Sequence, residues 1–224
     1  MNWGRAVLAL LTVAAAGGLL VSGGSGADPR TPRGLPGVPP PFLGMALLGD
    51  GELTAAIDSY GNVVDLRTPG PAGNALIENP MERQVAGTIA ADTGIQPWVR
   101  IGGGPAVPMW RADTVRQGYL PGTNVLRTVA WFGRWRVEVR EAAHGDELAV
   151  VVDGDASAVQ LRMNGGTGVV TRDSEVLAEA VASDRRWLSH SRPLGGAAPV
   201  WAERMYERSL LVLRALTDRR TGAV

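Results

Sequence analysis

Between Glu52 and Asn164 the chain is repeatedly interrupted by Gly, Pro, Asn or Asp, and the short stretches between these breaks alternate apolar and polar residues. With 30 Gly and 15 Pro in 224 residues, this punctuation leaves room for strands of about 4–8 residues but few long helices. ELTAAID (52–58) and NVVDLR (62–67) flank Ser59-Tyr60-Gly61, which predicts a hairpin. NVLRTVAWF (124–132) and RWRVEVREA (134–142) flank Gly133 in the same way. In the second of these, Trp135, Val137 and Val139 share one face, and Arg134, Arg136, Glu138 and Arg140 the other. That is the period-2 signature of a strand buried on one side. DELAVVVD (146–153) and AVQLRM (158–163) continue the series after turns at His144-Gly145 and Asp153-Gly154-Asp155. Strands so spaced predict an antiparallel meander, and hence a sandwich in which each sheet buries one face against the other.

The ends read differently. Met1 to Arg5 carries one positive charge, Ala6 to Val21 is apolar, and Ser22 to Ala27 is small, with Ser25-Gly26-Ala27 fitting a cleavage site before Asp28. This is the pattern of an export signal, 1–27, and it predicts an extracellular or cell-envelope location. The alternative is an uncleaved anchor that meets the membrane only through residues 6–21. Residues 28–41 hold six prolines in 14 positions, which predicts an extended spacer. The β-sandwich is expected over 42–195. From Pro199 to about Asp218 no Gly or Pro intervenes, and Trp201, Met205, Val212 and Leu216 recur at helical spacing. Gly222 is placed to end this amphipathic helix. SLLVL (209–213) is apolar around most of the circumference, so the helix wants burial on several sides, with Trp201 as a packing residue.

Composition removes several chemistries. All 22 basic residues are Arg and they balance 22 acidic ones, which argues against a nucleic-acid partner. There is no Cys for thiolate chemistry, no Lys for a Walker-type phosphate loop, and only His144 and His190 for a His-based metal centre. No cofactor and no metal are expected.

LLGDGELTAAIDSYGNVVDLRTP (47–69), with Gly49, Gly51, Asp58, Gly61 and Pro69, resembles the opening of the N-terminal sandwich of glycoside hydrolase family 15, the bacterial glucoamylase-like enzymes. WRADTVRQGYLPGTNVLRTVAWFG (110–133) is similar to that family's central hairpin region, and ERSLLVLRALTDRRTGAV (207–224) to the first helix of its (α/α)6 catalytic barrel. The resemblance implies a mainly β, super-sandwich-like antiparallel β-sandwich, with an N-terminal signal helix and one C-terminal helix. On that basis 196–224 is expected to be the linker and first helix of a truncated barrel. The barrel itself, in cis or in trans, is the implied partner, and the implied parent activity is inverting hydrolysis of α-glucosides such as maltooligosaccharides, dextrin or trehalose. Inversion needs one carboxyl to protonate the leaving oxygen and another to activate water. The family carries that pair of glutamates later in the barrel, so no catalytic residue is transferred and the chain alone is expected to be inactive.

Other signals are weaker. Glu138 and Glu141 lie on opposite faces of one strand, and Glu203 and Glu207 lie one helical turn apart. Both pairs are expected to be solvated or salt-bridged. Asp153-Gly154-Asp155 lacks the downstream ligands of a calcium loop, IGGGP (101–105) lacks a phosphate-loop lysine, and both read as turns. His144 and His190 are expected at the surface. Trp98, Trp110, Trp131 and Trp135 are the candidate carbohydrate contacts, because flat aromatic faces match the C–H-rich faces of sugars. Trp131 and Trp135 are expected to face each other across their hairpin and to stabilise it. An α-glucan is then the second candidate partner. A freestanding exported carbohydrate-binding or cell-surface sandwich is the alternative function, and a degenerate product with an uncovered helix is a third.

Overall fold

The computed structural model describes residues 45–68, 74–77, 94–155, 158–164, 170–171, 174–194 and 198–222. The expected signal segment and Pro-rich spacer lie outside them. Among the described residues, no helix is long and apolar enough to cross a membrane.

The protein is mainly β, as the punctuated alternation predicts. The first sheet runs β1 (Met45–Gly49), β2 (Thr54–Asp58), β3 (Val63–Arg67), β5 (Gly94–Arg100), β11 (Ala158–Asn164), with short β4 (Ala75–Ile77) beside β3 and β6 (Ala106–Pro108) beside β5. The second runs β12 (Val170–Thr171), β10 (Glu147–Gly154), β9 (Trp135–His144), β8 (Leu126–Phe132), β7 (Thr114–Tyr119). All described pairings are antiparallel except β10 with β12. The sheets close on one core, to which Leu48, Ile57, Leu66, Ile95 and Val99 come from the first, and Leu126, Ala130, Val137, Val139 and Leu148 from the second.

Two sequence expectations are corrected here. The meander runs in two pieces, β1 to β4 in the first sheet and β7 to β10 in the second. β11 does not continue it but crosses to pair with β5, Val159 opposite Val99, covering an edge that would otherwise present unpaired backbone groups. The second correction is a helix, α1 (Ser174–Ser189), inside the range expected to be all sandwich. Val176, Leu177 and Ala180 of α1 pack on Val125, Ala142 and Ala149, so the outer face of the second sheet is covered at one end. The two small side chains on the sheet let the helix approach closely.

Helix α2 (Val200–Leu216) starts after Pro199, whose fixed φ suits a helix start. It stops at Leu216, six residues before Gly222, with the Thr217 amide donating to the Leu213 and Arg214 carbonyls. The stop is tertiary in origin. The Arg219 amide donates to the Gly51 carbonyl at 3.0 Å, and a Cβ on Gly51 (φ +93°) would lie 2.5 Å from the Thr217 carbonyl oxygen. Only glycine permits that approach of the β1–β2 turn to the helix end.

Candidate functional site

The two helices are held to the sandwich by a polar seam. Asn124, buried in the turn just before β8, donates from Nδ2 to the Gly49 and Leu211 carbonyls (2.7 and 3.1 Å). Its Oδ1 accepts from Arg208 Nη1 (2.6 Å), and its amide donates to Asp184 Oδ2 (2.6 Å). The other oxygen of Asp184 accepts from Arg214 Nη1 at 2.6 Å, bridging α1 and α2. Arg208 also donates to the Leu47 carbonyl (2.9 Å) and stacks over the Tyr119 ring, 3.5 Å from its centroid. Burial pushes the Asp184 carboxyl above its ordinary range, against the Asn124 amide and the Arg208 and Arg214 charges, and lowers the affinity of Arg208 for its proton.

Beside this seam lies a cleft of about 480 Å³ between α1, the end of α2 and the β1–β2 turn. Trp187 and Arg186 line it from α1 and His190 from the turn after it, Arg214 and Arg219 from the α2 side, and Asp50 from the β1–β2 turn. Asp50 is held in place by the Gly145 and Glu52 amides at 2.9 and 3.1 Å. Arg214 is neutralised by Asp184, and Arg219 by Glu52 at 2.7 Å. Arg186 has no ion-pair partner among the described residues, and its carbonyl receives Nδ1 of His190 at 2.7 Å, which leaves Nε2 for a ligand. The cleft pairs an indole face with guanidinium donors, an arrangement for non-covalent recognition of a polar, flat-faced molecule. Its carboxylates are engaged by backbone amides, and no hydroxyl there is coupled to a base. Among the described residues no three His, Asp or Glu side chains are placed to hold a metal ion.

None of the four predicted tryptophans lines this cleft. Trp98 and buried Trp110 pack edge to face, centroids 6.0 Å apart, on the first sheet and the turn that follows β6. Trp131 stacks with Arg116 and Trp135 with Arg134. The expected Trp131–Trp135 pair does not form. Trp131 lies opposite Arg136, and Trp135 opposite Phe132, so the two rings are on opposite faces of the sheet. The one-residue shift follows from the turn closing on Gly133-Arg134 alone.

The remaining candidates are placed as follows. Glu138 binds Arg127, Arg136 and, more loosely, Arg140 on the outer face of the second sheet, as expected for a salt-bridged carboxylate. Glu203 and Glu207 are exposed on α2. His190 is exposed; His144 is half-buried, 3.8 Å from both Asp50 and Glu179. Glu141 overturns its expectation, being fully buried with neither carboxylate oxygen bonded. The missed cleft residues, Asp50, Arg186 and Trp187, carry no local motif. The helical spacing of Val176, Leu177, Ala180 and Asp184 could have revealed α1, and with it Trp187. Comparison with known protein families, with curated proteins and with solved structures found no match.

Proposed function

We propose that the chain is the non-catalytic N-terminal part of an exported glucoamylase-like glycoside hydrolase, a sandwich that presents α2 to a catalytic (α/α)6 barrel in cis or in trans. The observation that carries this reading is the apolar stripe on α2. Val200 is 61% exposed, Trp201 65% and Met205 40%. Trp201 is therefore largely open among the described residues, and a helical layer is the natural cover for such a stripe. Further along the helix, the C-terminal half of α2 is committed to the sandwich through Arg208, Leu211 and Ala215. On this reading the glutamate pair for inverting hydrolysis of α-glucosides belongs to the barrel, and this chain positions it.

The test is an assay of the purified chain on maltooligosaccharides, dextrin and trehalose, alone and with an added glucoamylase-type barrel. The chain alone should release no glucose, and the barrel should shift the fluorescence of Trp201 to shorter wavelength as the indole leaves water. Glucose release by the chain itself, or an unchanged spectrum, overturns the reading.

The cleft favours a second reading, a freestanding exported carbohydrate-binding sandwich. Calorimetric titration with maltooligosaccharides tests it: binding that Trp187→Ala abolishes supports this reading, and no heat at millimolar ligand removes it.

A further inference from the structure

The interior holds two carboxyls that neither the cleft nor the α2 stripe uses. Glu141 sits on the inner face of β9 between Leu126 of β8 and Val150 of β10, fully excluded from solvent, and both its oxygens lack a hydrogen-bond partner. It faces the β2–β3 turn, where a Cβ on Gly61 would stand 3.7 Å from its Oε2 and 3.5 Å from Thr128 Oγ1. Asp58, at the start of that turn, is equally buried. Its oxygens accept from the Tyr60 and Asn62 amides (2.8 and 2.9 Å) and from Asn62 Nδ2 (2.7 Å). Gln117 of β7 ties the two sheets here, donating to the Asp58 carbonyl at 2.7 Å and to Thr128 Oγ1 at 2.9 Å. The titratable groups facing Glu141 are Asp58 and, through it, Tyr60; among the described residues no Arg or His pairs with either carboxyl.

A buried carboxylate without a counter-charge costs several kcal/mol, and a second one close enough to repel it adds to that cost, so such groups take up protons instead. We propose that Glu141 and Asp58 form a proton-operated latch, which holds the β2–β3 turn against the second sheet while protonated and loosens it when the pair ionises. Burial is the main cause in both: it pushes Glu141 well above the ordinary carboxyl range, with the Asp58 charge adding to it, and raises Asp58 to about 6 against the bonds from Asn62 and Tyr60. Unfolded carboxyls titrate near about pH 4. The folded chain therefore holds extra protons above that pH. The contribution of the pair is complete below the unfolded value and is lost as pH rises through about 6 for Asp58, and higher for Glu141.

The test is urea unfolding of the full chain from about pH 5 to about pH 9, with hydrogen exchange at the Tyr60 and Asn62 amides. The folding constant should fall by up to about tenfold per pH unit for each proton held only by the folded state. The two amides should gain exchange beyond the intrinsic pH effect. Glu141→Gln, an uncharged near-isostere, should remove the part of the fall due to Glu141 and overtake the parent at alkaline pH. Should that variant not fold, the infrared band of a protonated carboxylic acid in the unaltered chain at neutral pH carries the test. A pH-independent parent, an equal fall in Glu141→Gln, or no acid band would overturn the proposal. So would calcium raising the stability of the parent at alkaline pH but not that of Glu141→Gln, since a cation would then be the neutralising group.

Discussion

Asn124 joins three parts of the chain with one side chain and one amide: the end of β1, helix α2, and Asp184 of α1. Truncating its side chain takes a partner from the Gly49 and Leu211 carbonyls and from the Arg208 guanidinium, while its amide still reaches Asp184; each buried group left unpaired costs about 1–3 kcal/mol. Asn124→Ala should therefore lower the unfolding free energy by about 2–4 kcal/mol in urea titrations, at the upper end of single substitutions. Glu138 makes the opposite case. Arg127 and Arg136 hold its carboxyl below the ordinary range, yet both arginines are substantially exposed. Glu138→Gln should cost no more than about 1 kcal/mol, and the cost should shrink in high salt as the charges are screened. Because its pKa is lowered when folded, the contribution of Glu138 is present above its unfolded value and is lost on acidification, the reverse of the Glu141 pair. The contrast is one of face. Residues 138 and 141 are three apart on a strand, so one meets water and the other the core. The alternation of Trp135, Val137 and Val139 already put Glu141 on the inner side; the usual solvation of glutamate argued otherwise, and the strand period won.

At the scale of elements, the strands were largely legible because period-2 alternation and turn residues are local signals. The helices were half legible. α2 announced itself through an unbroken run after Pro199, while α1 was hidden by a sequence of many small and charged residues. α2 divides its apolar residues between two uses, and substitution separates them. Leu211 is buried against the sandwich, and Leu211→Ala should cost about 2–5 kcal/mol by thermal or urea unfolding. Trp201→Ser in the exposed N-terminal part of α2 should change stability by no more than about 0.5 kcal/mol. A large loss from Trp201→Ser would mean that the stripe is already covered in the isolated chain.

At the scale of the whole molecule, the core is a contact between two sheets whose strands come from both halves of the chain, and β11 carries the chain back from the second sheet to the first. Amide exchange should therefore be slowest in β8 and β9, each flanked by a strand on both sides, and faster in the short edge strand β6. Equal exchange across both sheets would count against this order. The amino-acid sequence by itself determined the class: Gly and Pro spacing limits segment length, alternation selects strands, and the lack of Cys and Lys removes whole chemistries. The tertiary structure alone decided which sheet β11 joins, that Trp131 and Trp135 point to opposite faces, and that Trp187, Arg186 and Asp50 share a cleft. It also decided that Glu141 and Asp58 share a dry interior. Each of these depends on which distant segments meet, and alternation along a strand reports a face without reporting what lies across from it.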